Sequence, residues 1–360
     1  MATDLALAQV EEGGLVKESV ISRLFNISPV DRPLIDSIGT GEKAKQRKHE
    51  FTDKTLSTPT STSRYFENQS LADEDDSKHG LRYGNYCQQQ GRVIKTTQRA
   101  RDSELTYGGD EFLQQLMDEG ETLRLNEEAA AVSRNPATQE VAATSGALMA
   151  GAATWAIHGT NRGTNGVDAE LTGTTGGVPE TAPLAGLARG LTLTMVKDML
   201  RTGWDAGAKF NLLMSTGAMI GNLSSFLFDK SARVATMQTD VPQGNRTGVE
   251  SGNGARSGGV VAQSAVNMLV GDFGTVVLTP NRLMEVYDST DGTPVDVVDV
   301  LFIDTRYPMI CRLHGYATKR LAHTGLYDQE VLFVDSTFIP GSTHSVSTIA
   351  DINPAVAVAA

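Results

Sequence analysis

The chain has 360 residues, 40% hydrophobic and 21% charged. That composition supports a sizeable core in roughly two domains and excludes a disordered chain. A formal net charge of −12 excludes a general nucleic-acid binder, which needs a basic excess. Two distant cysteines, Cys87 and Cys311, exclude a disulfide framework and any metal-type cysteine spacing, and point to a reducing compartment.

The first sixteen residues lack a basic flank and carry Glu11 and Glu12, so they are no signal peptide. Val20, Ile21, Leu24 and Phe25 recur at helical spacing and predict a short helix over 18–25. Pro29 and Pro33 then forbid a helix through the next stretch and favour extended geometry before each. Phe25, Ile27, Leu34, Ile35 and Ile38 still need a cover, so this arm should lie against another part of a protein. A hinge at Gly39-Thr40-Gly41 leads into the basic run Lys43 to Lys48.

Residues 49–101 predict a long polar β-hairpin. Its alternating segments are His49-Glu50-Phe51-Thr52 and Arg92 to Thr97, with the acidic run Asp73 to Asp76 between them. An isolated two-stranded hairpin is marginal in water, so something outside should support it. Residues 109–135 give the clearest helix, with Phe112, Leu116, Leu123 and Ala130 on one face and Asn135-Pro136 as the stop. The uncharged stretch from Val141 to Asn161 predicts a packed helix at 144–158 rather than a membrane span. An exposed Gly/Thr loop follows at 159–186. Thr194 should cap a helix that Gly207 closes. Leu212-Leu213-Met214 predicts a strand, and Ser215 or Thr216 starts a helix running to Phe228. The stretch 238–259 is glycine-rich and predicts a loop. Strands are expected at 264–270, 275–279, 295–302 and 330–339. No repeat of 20–50 residues is present. The fold class is α+β.

No sequence motif carries catalysis. There is no phosphate loop and no nucleophile elbow. Gly252-Asn253-Gly254 imitates a dinucleotide fingerprint without its third glycine and precedes strands. Asp272-Phe273-Gly274 matches a kinase motif in three letters and suits a strand turn. None of the six histidines has a partner at i+4, so helical zinc ligation is unsupported. Cys311 and His314 would lie on opposite faces of a strand. No catalytic, cofactor or metal residue is assigned. The basic run suits an acidic patch on a neighbouring subunit at least as well as nucleic acid, because Glu42 and Glu50 dilute it. Lys43, Lys45, Arg47 and Lys48, with Asp73, Glu74, Asp75 and Asp76, are the candidate subunit-interface residues.

The order of these segments resembles the major capsid protein of tailed bacteriophages, the Hong Kong 97-type or Johnson fold. The chain is similar to a podophage-type branch of major head proteins. Ser28-Pro29-Val30-Asp31-Arg32-Pro33, Ile38-Gly39, Lys48-His49-Glu50, Asn85-Tyr86 and Arg99-Ala100-Arg101 carry that resemblance. So do Asp272-Phe273-Gly274-Thr275, Pro280-Asn281-Arg282 and Leu321-Ala322-His323-Thr324-Gly325. Loops 159–186 and 238–259 depart from the family pattern.

The resemblance implies an N-terminal arm at 1–48, an extended β-hairpin loop at 49–105 and a peripheral domain with a spine helix at 106–140. It further implies an axial domain at 141–320 with a peripheral strand returning near its end, and a C-terminal peripheral strand and tail at 321–360. It implies a non-enzymatic shell subunit forming hexamers and pentamers around double-stranded DNA, without sequence-specific binding or a membrane. A separate scaffolding protein, a portal and decoration proteins are the expected partners, with assembly in the host cytoplasm and residence in the virion. With about one short helix before Phe25, no N-terminal processing beyond Met1 is expected. The alternatives are an encapsulin-like compartment shell and an α+β enzyme with an unrecognised site.

Overall fold

The computed structural model describes residues 26–62, 64, 67, 77–103, 110–142, 144–173, 176–225, 267–289, 295–322 and 325–358. Its first elements are α1 (Pro33–Ser37), β1 (Gly39–Thr40), β2 (Lys48–Asp53), β3 (Leu81–Tyr86), β4 (Gln88–Thr97), α2 (Gln98–Asp102) and α3 (Glu111–Val132). Then come α4 (Ala152–Trp155), β5 (Thr160–Asn161), β6 (Leu171–Gly173), β7 (Gly176–Pro179), α5 (Leu193–Asp205) and β8 (Leu212–Ser215). Residues 217–225 are also helical. The remaining strands are β9 (Met268–Gly271), β10 (Gly274–Pro280), β11 (Tyr287–Asp288), β12 (Asp296–Ile303), β13 (Met309–Arg320), β14 (Tyr327–Ile339) and β15 (Val346–Ile352).

The chain forms two compact units. Of the described residues, one holds 26–30 with those of Gly91–Leu123 and Ala317–Phe333; the other holds those of Asp31–Gln90, Arg124–Tyr316 and Val334–Ala360. The larger unit is organised by a sheet in the order β5-β15-β12-β8-β10-β9, with β11 beside β12. β12 is antiparallel to both β15 and β8, and β8 is parallel to β10. Side chains alternate across a strand. Leu301 and Ile303 therefore join Trp155, Leu212, Met214 and Phe338 on one face. Val298, Val300 and Phe302 join Leu213, Val196, Leu200, Met219 and Leu223 on the other. A sheet covered on both faces favours apolar residues at every position, which is why 297–303 is apolar except at Asp299.

α5 covers the second face with Val196, Met199, Leu200 and Gly203. Its cap is Thr192, whose Oγ1 accepts from Met195 N–H at 3.2 Å, two residues before the expected Thr194. A side chain at Gly203 would start 2.1 Å from the Phe210 ring, so only glycine lets the helix sit this close. Gly207 ends the helix at φ +91°, as its residue type predicts.

The smaller unit packs the first half of α3 over the distal parts of β4 and β14. Phe112, Leu123, Ile94 and Leu332 are buried there. Thr96 Oγ1 lies 3.2 Å from Gln115 Oε1, and Arg101 pairs with Asp110 at 3.1 Å and Asp328 at 2.5 Å.

Several expectations are corrected. The arm holds a short helix, α1, because Pro33 stands at its first position, where the missing N–H is no loss. The 92–97 strand forms but pairs in a sheet of order β1-β13-β14-β4. The partner of β2 is β3, from Lys48↔Tyr86 to Asp53↔Leu81. The alternation at 92–97 instead reports burial of Ile94 and Thr96.

The helix expected at 144–158 shrinks to Ala152–Trp155. Before it, Thr138↔Leu148 and Val141↔Ser145 form isolated bridges. Asn85 takes the backbone of Ala150 at 2.9 and 3.0 Å, which removes it from helical pairing. The loop 159–186 is not wholly exposed: it contributes β5, β6 and β7, and Ala169 and Val178 are buried. Strand β15 was not anticipated, whereas β13 matches the strand expected around Cys311 and His314. The expected helix over 18–25 and the loop 238–259 lie outside the described residues.

One buried ion pair ties β12 to the segment after α3. Arg134 Nε and Nη2 donate to both Asp299 oxygens at 2.7 and 2.6 Å. The Tyr287 ring covers the guanidinium at 3.9 Å. Arg134 is 4% exposed and Asp299 1%, so removing Asp299 leaves the buried guanidinium with Asp351, at 3.4 Å, as its remaining counter-charge. Asp299→Ala is expected to cost about 3–5 kcal/mol, read from urea unfolding of unassembled protein. A loss below about 1 kcal/mol would show that the pair is not isolated from water.

Candidate assembly interface

The arm is fixed by one carboxylate. The second and third N–H groups of a helix have no partner within it. In α1 these belong to Leu34 and Ile35. They donate to Glu128 Oε1 and Oε2 of α3 at 2.8 and 2.9 Å. Asn281 Nδ2 adds a third bond at 2.7 Å. Glu128 is fully buried. Burial pushes its carboxyl above the ordinary value of 4.5, against the downward pull of these three donors. Leu34 is buried in the first core, so the arm is also packed.

Beyond α1 the chain runs along β13. β1 pairs in parallel through Gly39↔Met309 and Thr40↔Ile310. Gly41 N–H donates to Ile310 O at 2.9 Å and Ala44 N–H to Arg312 O at 3.2 Å. A side chain at Gly41 would start 2.5 Å from the Cys311 and Met309 sulfurs, so glycine is required for this approach. The basic run is therefore an ordered strap. Lys43 and Lys45 are exposed on it. Arg47 pairs with Glu140 at 2.9 Å, and Lys48 with Glu50 at 2.9 Å. Arg82 also reaches Glu50 at 2.5 Å. The Lys48 hydrogen bond leads the causes that hold the Glu50 carboxyl below its usual value. Asp73, Glu74, Asp75 and Asp76 lie outside the described residues.

The base of the hairpin is anchored in its own subunit. Phe51 stacks on Tyr83 with centroids 5.6 Å apart and packs on Trp155 at 5.6 Å. Asp53 Oδ2 accepts from Thr343 N–H at 2.8 Å, Thr343 Oγ1 at 2.9 Å and Ser342 Oγ at 3.1 Å. Asn85 is fully buried and also donates to Phe338 O at 2.8 Å. Past Asp53 the cover ends. Residues 54–62 are exposed, Leu56 at 86%.

Sequence reasoning missed a second buried carboxylate on α3. Glu127 accepts from Arg312 Nε and Nη2 at 3.0 and 2.8 Å and from Tyr316 O–H at 2.6 Å. Two adjacent acids before Ala129-Ala130-Ala131-Val132 were the available signal, as was Asp299 inside an apolar strand. Their partners are more than 90 residues away in sequence, so nothing local identifies them.

Burial pushes the Cys87 thiol up to about 12 and the Cys311 thiol up to about 11. Neither is the thiolate that nucleophilic chemistry needs. Among the described residues no group of three or more His, Cys, Asp or Glu has metal-holding geometry. Among them, too, no helix is long and apolar enough to cross a membrane.

The chain is similar in structure to the capsid of a native GTA particle, at 11% identity and TM-score 0.55 over 97% of this chain and 99% of that chain. It is also similar to a chain of Mycobacterium phage Bobi, at 12% and 0.52 over 96% and 98%. A third likeness is to Microbacterium phage Oxtober96, at 11% and 0.51 over 96% and 99%. These likenesses establish the Hong Kong 97-type fold.

The chain belongs to the SU10 major capsid protein family, whose sequence model matches residues 3–353. It is thus a major capsid protein of the virion, a structural protein and not an enzyme. No curated protein matches it.

Glu128→Ala should free α1 and cost about 1–3 kcal/mol, by leaving buried donors without an acceptor. The Leu34 and Ile35 amides should lose hydrogen-exchange protection. Because the folded carboxyl titrates above its unfolded value, its contribution is fully present below about 4.5 and is lost as pH rises through the folded value. Glu128→Gln should remove that decline from the pH–stability profile. Unchanged amide protection in Glu128→Ala would contradict the anchor.

Proposed function

We propose that this subunit builds the icosahedral head of a tailed phage as hexamers and pentamers, with the hairpin beyond Asp53 lying on a neighbouring copy. The division into arm at 1–48, extended loop at 49–105, spine-helix region at 106–140, axial domain at 141–320 and C-terminal strand and tail at 321–360 belongs to this proposal. The observation that carries the hairpin's role is its contrast in burial. Its base is locked to Trp155, Thr343 and Phe338, while residues 54–62 and 77–80 are exposed. An ordered base leading into exposed residues suits a contact completed by a second copy. An obligate interface of this sort buries above roughly 2,000 Å² in total.

Lys43 and Lys45, exposed on the strap, supply the positive side of an electrostatic contact whose negative side is Asp73, Glu74, Asp75 and Asp76. Arg47 and Lys48 contribute less, since each already has an acid within its own chain. Exposed pairs add only about 0–1 kcal/mol each, so their effect is collective over a shell. The enclosed double-stranded DNA is held without sequence readout, as the net charge of −12 favours. A separate scaffolding protein sets shell size during assembly in the host cytoplasm, and a portal and decoration proteins complete the particle.

The test is a deletion that spares the core. Removing residues 60–85 would also take Tyr83 and Asn85 out of the interior. Residues 57–77 should therefore be replaced by a short Gly/Ser turn. The subunit should stay folded and soluble, with an unchanged melting curve, and should fail to form shells under electron microscopy. Uniform shells from this variant would overturn the hairpin's role.

A further inference from the structure

Beside the hairpin base two imidazoles are stacked. The rings of His158 and His344 lie with centroids 4.9 Å apart and planes at 27°. Each is carried on backbone that is tied down. Gly159 O accepts from Thr348 N–H of β15 at 2.8 Å. A side chain at Gly159 would collide with Ser347 Oγ, so the chain next to His158 is pressed onto β15. His344 sits in the turn between β14 and β15, where Gly341 takes φ +71° and Ser345 Oγ donates to Pro340 O at 2.8 Å. The preceding residues, Ser342 and Thr343, supply the three hydrogen bonds that Asp53 Oδ2 accepts. His344 N–H donates to that same Ser342 Oγ at 3.4 Å. Any displacement of His344 therefore reaches the groups that hold the end of β2.

We propose that the His158–His344 pair is a pH-sensitive latch on the hairpin base: neutral rings stack and keep the turn seated on Asp53, and protonation of both rings forces them apart and loosens β2. His158 is exposed and His344 half-buried, so protons reach the pair directly. Two protons would place like charges 4.9 Å apart on tethered backbone. Asp53 is the acid that acts on the His158 ring, and one carboxylate offsets one proton on the pair, not two. The other charged groups of the adjoining segments are matched or remote. Asp168, after His158, pairs with Arg162 at 2.5 Å and accepts from Thr160 Oγ1 at 2.8 Å. Asp304 pairs with Arg306 at 2.5 Å in the turn that Gly341 packs against. Lys54, beyond Asp53, is exposed. Burial, with the Asp53 charge, raises the Tyr83 hydroxyl, so it stays neutral. Lost hydration lowers the His158 imidazole from the ordinary 6.5, His344 adds to this, and Asp53 opposes both. The folded subunit thus binds this proton more weakly than the unfolded chain. The latch is at full strength above about 6.5 and weakens as pH falls below it.

The test follows hydrogen exchange in unassembled full-length subunits from about pH 7.5 to about pH 5, the range in which histidine titrates, with each rate corrected for its intrinsic pH dependence. In wild type, protection of residues 48–53 and Thr343 should fall at least about threefold further than that of residues 297–303 in β12, which corresponds to about half a pKa unit of linkage. His158→Gln and His344→Gln should each remove that extra fall, because one ring alone has no second charge to repel. Parallel pH profiles in wild type and both variants would overturn the latch. So would His158→Gln subunits that show, already at about pH 7.5, the low protection of acid wild type, since the rings would then be a packing contact and not a switch. Shells take no part in these measurements, so the outcome is separate from that of the shell proposal.

Discussion

Glu127 and Glu128 near the end of α3, and Arg134 just past it, are charges buried almost completely, and the rest of the larger unit is arranged around satisfying them. A charge removed from water is tolerated only when partners replace the lost hydration. Glu127 draws Arg312 and Tyr316 from β13. Glu128 draws the arm and Asn281. Arg134 draws Asp299 of β12 and Asp351 of β15. Five segments far apart in sequence are thereby fixed to one stretch of backbone. Hydrophobic burial supplies most of the driving force, but it is non-directional. These charge-assisted bonds set which strand lies where.

The same logic separates what a subunit keeps for itself from what it offers to others. Asn85 and Asp53 satisfy backbone groups of their own chain, so the hairpin base is an internal element. Lys43, Lys45 and residues 54–62 and 77–80 are exposed beside ordered supports. A shell subunit needs this division: contacts made many times over must be presented rigidly, because each ordered side chain otherwise costs conformational entropy on assembly.

Much of this was legible in the residues. The long helix α3, the β12 and β14 strands and the end of α5 at Gly207 follow from periodicity and glycine placement, and the order of segments pointed to the family. Errors arose where long-range pairing outweighed local pattern. The Ala- and Gly-rich stretch before Trp155 reads as helix, yet Asn85 claims its backbone. The β15 strand hides because Ser347, Thr348 and Asp351 break its apolar pattern, although each is buried. The 92–97 alternation was assigned to the wrong partner, since alternation reports a covered face and not which strand lies beside it. The candidate acids Asp73 to Asp76 lie outside the described residues, whereas Arg47 and Lys48 each meet an acid of their own chain.

The central claim is that the arm and hairpin base are anchored within the subunit while the hairpin beyond Asp53 is completed by another copy. Hydrogen exchange on unassembled subunits and on shells tests this directly. The amides of Leu34, Ile35, residues 48–53 and residues 81–86 should be protected in both states. Those of residues 54–62 and 77–80 should be protected only in shells. Equal exchange of 54–62 and 77–80 in the two states, or loss of protection at 48–53 in the unassembled subunit, would contradict the account.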